Sequence, residues 1–156
     1  MKYTTVNEFE HFDFQDTYVK DIELGSDYFR LWLDNAKILP ENSKNRDIRR
    51  MRANGLSLTI HGMRILSFVR EGVKIYNADG VPMGSRPDEP LAQEAYMEIL
   101  PLFLEGSVPE FAREQEGDKT VYHFAVDASD ESTYAVALAG ESDTEEWDKF
   151  LNMDSV

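Results

Sequence analysis

The stretch from Leu56 to Tyr76, LSLTIHGMRILSFVREGVKIY, is the longest apolar, β-branched and aromatic run in the chain. Leu56, Leu58 and Ile60 alternate with Ser57, Thr59 and His61, a period of two that predicts a half-buried strand. After Gly62 the phase breaks. Met63, Ile65 and Val69 fall on one parity and Leu66 and Phe68 on the other, so both faces are apolar. That pattern predicts a strand near the middle of a sheet, with a bulge or tight turn at His61-Gly62. Glu71-Gly72 reads as a turn, with Val73, Ile75 and Tyr76 on the returning strand.

The N-terminal third follows the same period. Phe12 and Phe14 share a parity opposite His11 and Asp13, in a short first strand or a peptide lying across the core. Tyr18, Ile22 and Leu24 share a face with Lys20. After the turn Gly25-Ser26-Asp27, Phe29, Leu31 and Leu33 point one way and Tyr28, Arg30, Trp32 and Asp34 the other, which predicts a hairpin. The outward aromatic–arginine face reads as the bed for a second packed layer. A polar loop from Pro40 leads into a basic cluster, Lys44, Arg46, Arg49, Arg50 and Arg52. Asn54-Gly55 is a strong hairpin signal, because both turn positions need positive φ. Ile48–Ala53 is therefore expected as an edge strand, where arginines discourage unwanted pairing.

Past the proline-rich passage VPMGSRPDEP the period becomes helical. Asp88 suits an N-cap, and Leu91, Ala95, Ile99 and Leu102 line one face. Pro101 kinks or ends this helix. Strands follow at Val108–Gln115, at Val121–Ala128 with Tyr122, Phe124 and Val126 inward, and at Thr133–Ala139 with Tyr134, Val136 and Leu138 inward. The opposite face of the last strand offers only Ala135, Ala137 and Ala139, a surface suited to close approach. Ser142-Asp143-Thr144-Glu145 matches a capping box, and Trp147, Phe150 and Leu151 match a helical stripe.

Charge is uneven. Residues 1–87 carry 13 Lys and Arg against 12 Asp and Glu, a net +1; residues 88–156 carry 3 against 18, a net −15. Such a field repels nucleic acid and anionic membranes and favours a basic partner. There is no cysteine, hence no disulfide, thiolate nucleophile or cysteine metal site. The N-terminus lacks the apolar core of a signal peptide and no run reaches the length of a membrane span, so the expected location is cytoplasmic.

Catalytic signals are sparse. His11, His61 and His123 have no second histidine at ligand spacing, and no phosphate loop, nucleophile elbow or calcium loop occurs. No cofactor or metal is expected, and chelation should leave stability unchanged.

These readings predict an α+β fold over residues 1–156 as one β-rich domain. It is a mainly antiparallel meander of seven to nine strands, a sandwich or open barrel, with a crossing helix near 89–104 and a C-terminal helix near 143–152. The expected function is a non-catalytic binding or regulatory protein contacting a basic protein partner through its acidic C-terminal half. Phe111, Tyr122 and Trp147 are candidate anchors, with Glu145, Glu146 and Asp148 as candidate charges. In its small, acidic, cysteine-free and β-rich composition the chain resembles bacterial toxin-neutralising immunity proteins, a likeness that rests on no motif. The alternatives are a curved-sheet module around a small apolar ligand or, less favoured, an enzyme. The oligomeric state has no signature in the sequence.

Overall fold

Alternation of inward and outward side chains governs nearly the whole chain. The computed structural model describes residues 1–153, with 56% strand and 9% helical residues. In chain order the strands are β1 (Tyr3–Val6), β2 (Phe12–Asp13), β3 (Thr17–Leu24), β4 (Tyr28–Asp34), β5 (Ala36–Ile38), β6 (Met51–Ala53), β7 (Leu56–His61) and β8 (Arg64–Arg70). They continue as β9 (Val73–Tyr76), β10 (Pro82–Arg86), β11 (Glu89–Pro90), β12 (Ser107–Glu116), β13 (Lys119–Asp127), β14 (Thr133–Gly140), β15 (Ser142–Trp147) and β16 (Leu151–Asn152). Ten form one antiparallel sheet in the order β1-β15-β7-β4-β3-β12-β13-β14-β8-β11. A smaller sheet, β16-β6-β5-β2, shares no ladder with it but adds Phe12, Ala36, Ile38 and Ala53 to the same core, and β9 and β10 pair only with each other.

Two short links force the large sheet to curl. β7 and β8 sit six positions apart in its order, a separation of roughly 29 Å if the sheet were flat. Only Gly62 and Met63 join them, a reach of about 11 Å. β14 and β15, also six positions apart, are joined by Glu141 alone. Both links meet at one corner, where the Glu141 N–H donates to the His61 carbonyl at 2.9 Å. Gly62 has φ of 58° there, a left-handed conformation that suits glycine.

The curl brings its two halves face to face. Phe29 of β4 meets Phe124 of β13 with ring centroids 5.7 Å apart. Leu58, Ile60, Phe68, Phe124, Val126 and Val136 belong to one buried cluster, with Ile65 packed against it. Ile65 and Phe68, of opposite parity in the sequence, both turn inward because the register of β8 shifts between Ile65 and Ser67, and β8 lies beside the edge strand β11 rather than at mid-sheet. Phe9, Phe12, Phe14, Tyr122 and Trp147 extend the cluster, filling the interior with aromatic rings.

Several expectations give way to tertiary pairing. The helix expected near 89–104 is reduced to Gln93–Phe103, in which the α-helical part (α1, Tyr96–Ile99) is flanked by 3-10 turns; Glu89–Pro90 is strand. Asp88 does not cap it and instead accepts the Gly72 N–H at 2.6 Å. The C-terminal helix expected near 143–152 is absent among the described residues, which run as β15 and β16. β15 fits between β1 and β7, turning Asp143, Glu145 and Trp147 inward and Thr144 and Glu146 outward. Two new sets of ladder hydrogen bonds outweigh a terminal turn of helix whose local preference is worth only ~1 kcal/mol.

Asn54-Gly55 does not close a hairpin. It passes the chain from β6 in the small sheet to β7 in the large one, and β6 is an inner strand between β5 and β16 rather than an edge. A register shift between Val19 and Asp21 reverses the phase of β3, burying Thr17 and Val19 and exposing Tyr18. The outward residues of β4 are half-buried; Arg30 stacks on Trp32 at 4.4 Å and donates to Ser57 Oγ at 2.7 Å, and among the described residues no further sheet pairs over this face.

Candidate functional site

The outer face of β12, β13, β14 and β8 is built from what their inward faces leave over. Phe111, Phe124, Val136 and Phe68 form one inward row across the four strands. The adjacent outward rows read Ala112–His123–Ala137–Ser67 and Glu110–Ala125–Ala135–Val69. Small side chains at the centre leave a shallow trough of about 240 Å³, floored by Ala125, Ala135 and Ala137 and bordered by Ser67, Glu71, Glu110 and His123. Glu114 and Glu116 continue the acidic border along β12. Here a partner backbone can approach closely between carboxylates. The alanine face was legible in the sequence, whereas Glu71 and Glu110 join it only through the strand register.

At one end of this border His123 Nε2 lies 3.0 Å from Glu116 Oε2 and 3.9 Å from Glu114 Oε2. The three ligand atoms lie within 4.8 Å of one another, close enough to share a divalent cation. The side chains are 38–61% exposed, and His123 and Glu116 already satisfy each other as a hydrogen-bonded pair. None of the three supports the core. Chelation is therefore expected to leave the melting temperature unchanged; a drop of several degrees in EDTA would make this cluster a structural metal site.

A second polar group is buried. Asp143 and Glu145 point inward beside Ile60 and Leu58, and both are fully buried. Tyr122 donates to Asp143 Oδ2 at 2.6 Å, and Thr5 donates to Glu145 Oε1 at 2.8 Å. Burial, followed by the Asp143 carboxylate beside it, pushes the Glu145 carboxyl up to about 10. Burial and the same carboxylate hold the Tyr122 phenol well above its ordinary range. Asp143 Oδ1 and Glu145 Oε2 accept no hydrogen bond in the structure, and a proton retained on Glu145 gives it a donor to offer Asp143. Arg113, paired with Glu10 at 2.6 Å, reaches within 4.0 Å of Asp143 from the surface side. This dyad is enclosed in the interior and does not line the trough.

That placement redistributes the candidate partner residues. Tyr122, Trp147 and Glu145 are interior, and Phe111 packs on Phe9, Phe14 and Phe124, so none of the four is offered to a partner. Only Glu146 and Asp148 remain near the surface, on β15 and just beyond it, in the other half of the sheet from the trough. Sequence parity hid this because it assigns inward acids to the surface. The three histidines contact three separate groups: Glu8, Thr144, and the Glu114–Glu116 pair. They form no common cleft.

The basic cluster is largely paired locally. Arg50 meets Asp13 at 2.9 Å, Arg49 meets Asp47 at 3.4 Å, and Arg52 donates to the Asn152 carbonyl. Lys44 and Arg46 line an open cleft of about 620 Å³ with Tyr3, Ile48, Met51 and Phe150. Among the described residues no helix is long and apolar enough to cross a membrane. No protein-family model, curated protein or solved structure matches the chain.

Proposed function

We propose that the chain is a non-catalytic binding protein whose partner presents a basic segment to the outer face of β12, β13, β14 and β8. The observation that carries this reading is the trough, in which an alanine floor lies between the carboxylates Glu71 and Glu110. Carboxylates at such a border steer a basic partner and select against acidic competitors, and small floor residues admit its backbone. The acidity of residues 88–156, net −15, exceeds the magnitude of about 2–8 that suffices for solubility. The enclosed-ligand alternative lacks comparable support, because aromatic rings fill the interior of the curl.

A short Lys/Arg-rich synthetic peptide tests the reading. Its binding should shift the backbone amide signals of Glu110, His123 and Ala137. Raising salt from low to physiological levels should slow association about tenfold or more, with little change in dissociation. Glu110→Lys combined with Glu71→Lys should abolish binding while leaving the fold intact, since both side chains lie outside the core. Equal binding by an acidic control peptide, or association indifferent to salt, would defeat the proposal.

A further inference from the structure

The hairpin β9–β10 lies outside the body of the protein. Every residue of both strands is exposed, and neither strand pairs with the large sheet. The chain leaves β8 at Glu71-Gly72, runs out as β9, turns at Asn77–Gly80, and returns as β10 into β11. The sequence places Val73, Ile75 and Tyr76 as a strand returning along its predecessor, but the structure carries them outward. Val73, Ile75, Tyr76, Val81 and Met83 are between 41% and 64% exposed. A two-stranded ribbon is marginal by itself in water, and these five exposed apolar side chains are concentrated on one short element, on both of its faces.

The root of the hairpin is firmly built. A Cβ at Gly72 would collide with the backbone of Arg86, Pro87 and Asp88, so the two limbs close tightly there. Asp88 Oδ1 accepts the Gly72 N–H, and Arg70 pairs with Glu89 at 2.6 Å. Glu71, which borders the trough, immediately precedes Gly72. The arm therefore rises from the edge of the acidic face. That face supplies charge around a floor of small side chains, and charge alone mainly governs encounter. Lasting affinity needs apolar or aromatic anchors. The arm carries such anchors, while Phe111, Tyr122 and Trp147 are turned inward.

We infer that the Val73–Arg86 hairpin is a docking arm that gives apolar anchors to the basic protein partner engaged by the adjoining trough. The inference rests on the proposed reading of the trough. The partner's basic segment lies between Glu71 and Glu110, and its apolar residues grip the ribbon on both faces, since Ile75 and Tyr76, consecutive in β9, point to opposite sides of it. Two copies of this chain fit the role poorly, because each brings a net charge of −14 to the contact.

The test uses the full chain and two short synthetic peptides of equal Lys/Arg content, one with leucines interspersed and one with serines in their place. The leucine peptide should bind the wild-type chain about tenfold tighter or more than the serine peptide. In the triple variant Ile75→Ser, Tyr76→Ser, Met83→Ser that ratio should fall to near one, with serine-peptide binding unchanged. Independently of any variant, amide signals of Lys74, Ile75 and Ser85 in the wild-type chain should shift with the leucine peptide and not with the serine peptide. A leucine advantage that survives the triple variant, or is absent from the wild type, overturns the arm and leaves the trough standing. Failure of both peptides to bind defeats the trough and the arm with it. A wild-type dimer that the triple variant converts to monomer would overturn the inference in favour of a second copy as occupant.

Discussion

Replacing Phe124 with alanine should destabilise the protein by about 3–5 kcal/mol, the range for removing a buried aromatic ring. Phe124 is 2% exposed and touches Phe29 at 5.7 Å and Phe111 at 5.1 Å. Phe29 stands on the opposite wall of the curl, so the lost ring leaves a void at the seam between the two halves. Neither wall can close it freely, because the Gly62-Met63 and Glu141 links fix their spacing. A domain of this size is held by about 5–15 kcal/mol, and each kcal/mol is worth about 2–4 °C. The melting temperature should therefore fall by about 10 °C, with the denaturant midpoint lowered and its slope unchanged. Leu66→Ala is the matched control. Leu66 is apolar and lies on neighbouring β8 but is exposed, so its loss should stay within about 0.5 kcal/mol. Equal effects from the two substitutions would overturn the inward phase assigned to β13.

What the sequence discloses depends on whether a residue's type agrees with its place. In β4, β13 and β14 the inward residues are Leu, Phe, Tyr and Val at every second position, so the period alone finds the core face. In β15 the inward residues are Asp143, Glu145 and Trp147, and the same period is masked by two acids. The helical signals Ser142–Glu145 and Trp147, Phe150, Leu151 were genuine local preferences. Pairing with β1 and β7 overrides them. The bulge in β3 hides another phase, since one extra residue exchanges the two faces.

The candidate surface was legible in pieces. Ala135, Ala137 and Ala139 signalled close approach, but the trough exists because β13 and β8 flank β14 in one particular register. Val73, Ile75 and Tyr76 looked like sheet residues and are strand residues, yet composition cannot show that the strand stands free of the body. Charge asymmetry was plain in the sequence. Which acids face solvent depended on the curl.

The buried acid pair should make the protein less stable as pH rises. The Glu145 carboxyl holds its proton in the fold to about 10, whereas its ordinary value is 4.5. Below the ordinary value both folded and unfolded chains are protonated there, and the contribution to stability is full. As pH rises past it, the unfolded chain releases the proton and the folded chain does not, so stability falls by about 1.4 kcal/mol per pH unit. That decline continues until the folded carboxyl itself ionises. Between about pH 5.5 and about pH 8.5 the loss from this one group should reach a few kcal/mol. Glu145→Gln removes the proton but preserves the geometry. Its amide N–H can donate to Asp143 as the protonated acid does, and its Oε1 can still accept from Thr5. The variant should therefore be clearly more stable than wild type at about pH 8.5, with the advantage shrinking towards about pH 5.5. Glu145→Ala provides the contrast, because it abandons the Thr5 hydroxyl and opens a void beside Leu58, and it should be destabilised at mild acid pH. Urea unfolding midpoints across the pH range decide the matter. Parallel curves for wild type and Glu145→Gln would mean that Glu145 ionises freely in the fold, and that Asp143 and Glu145 share no proton.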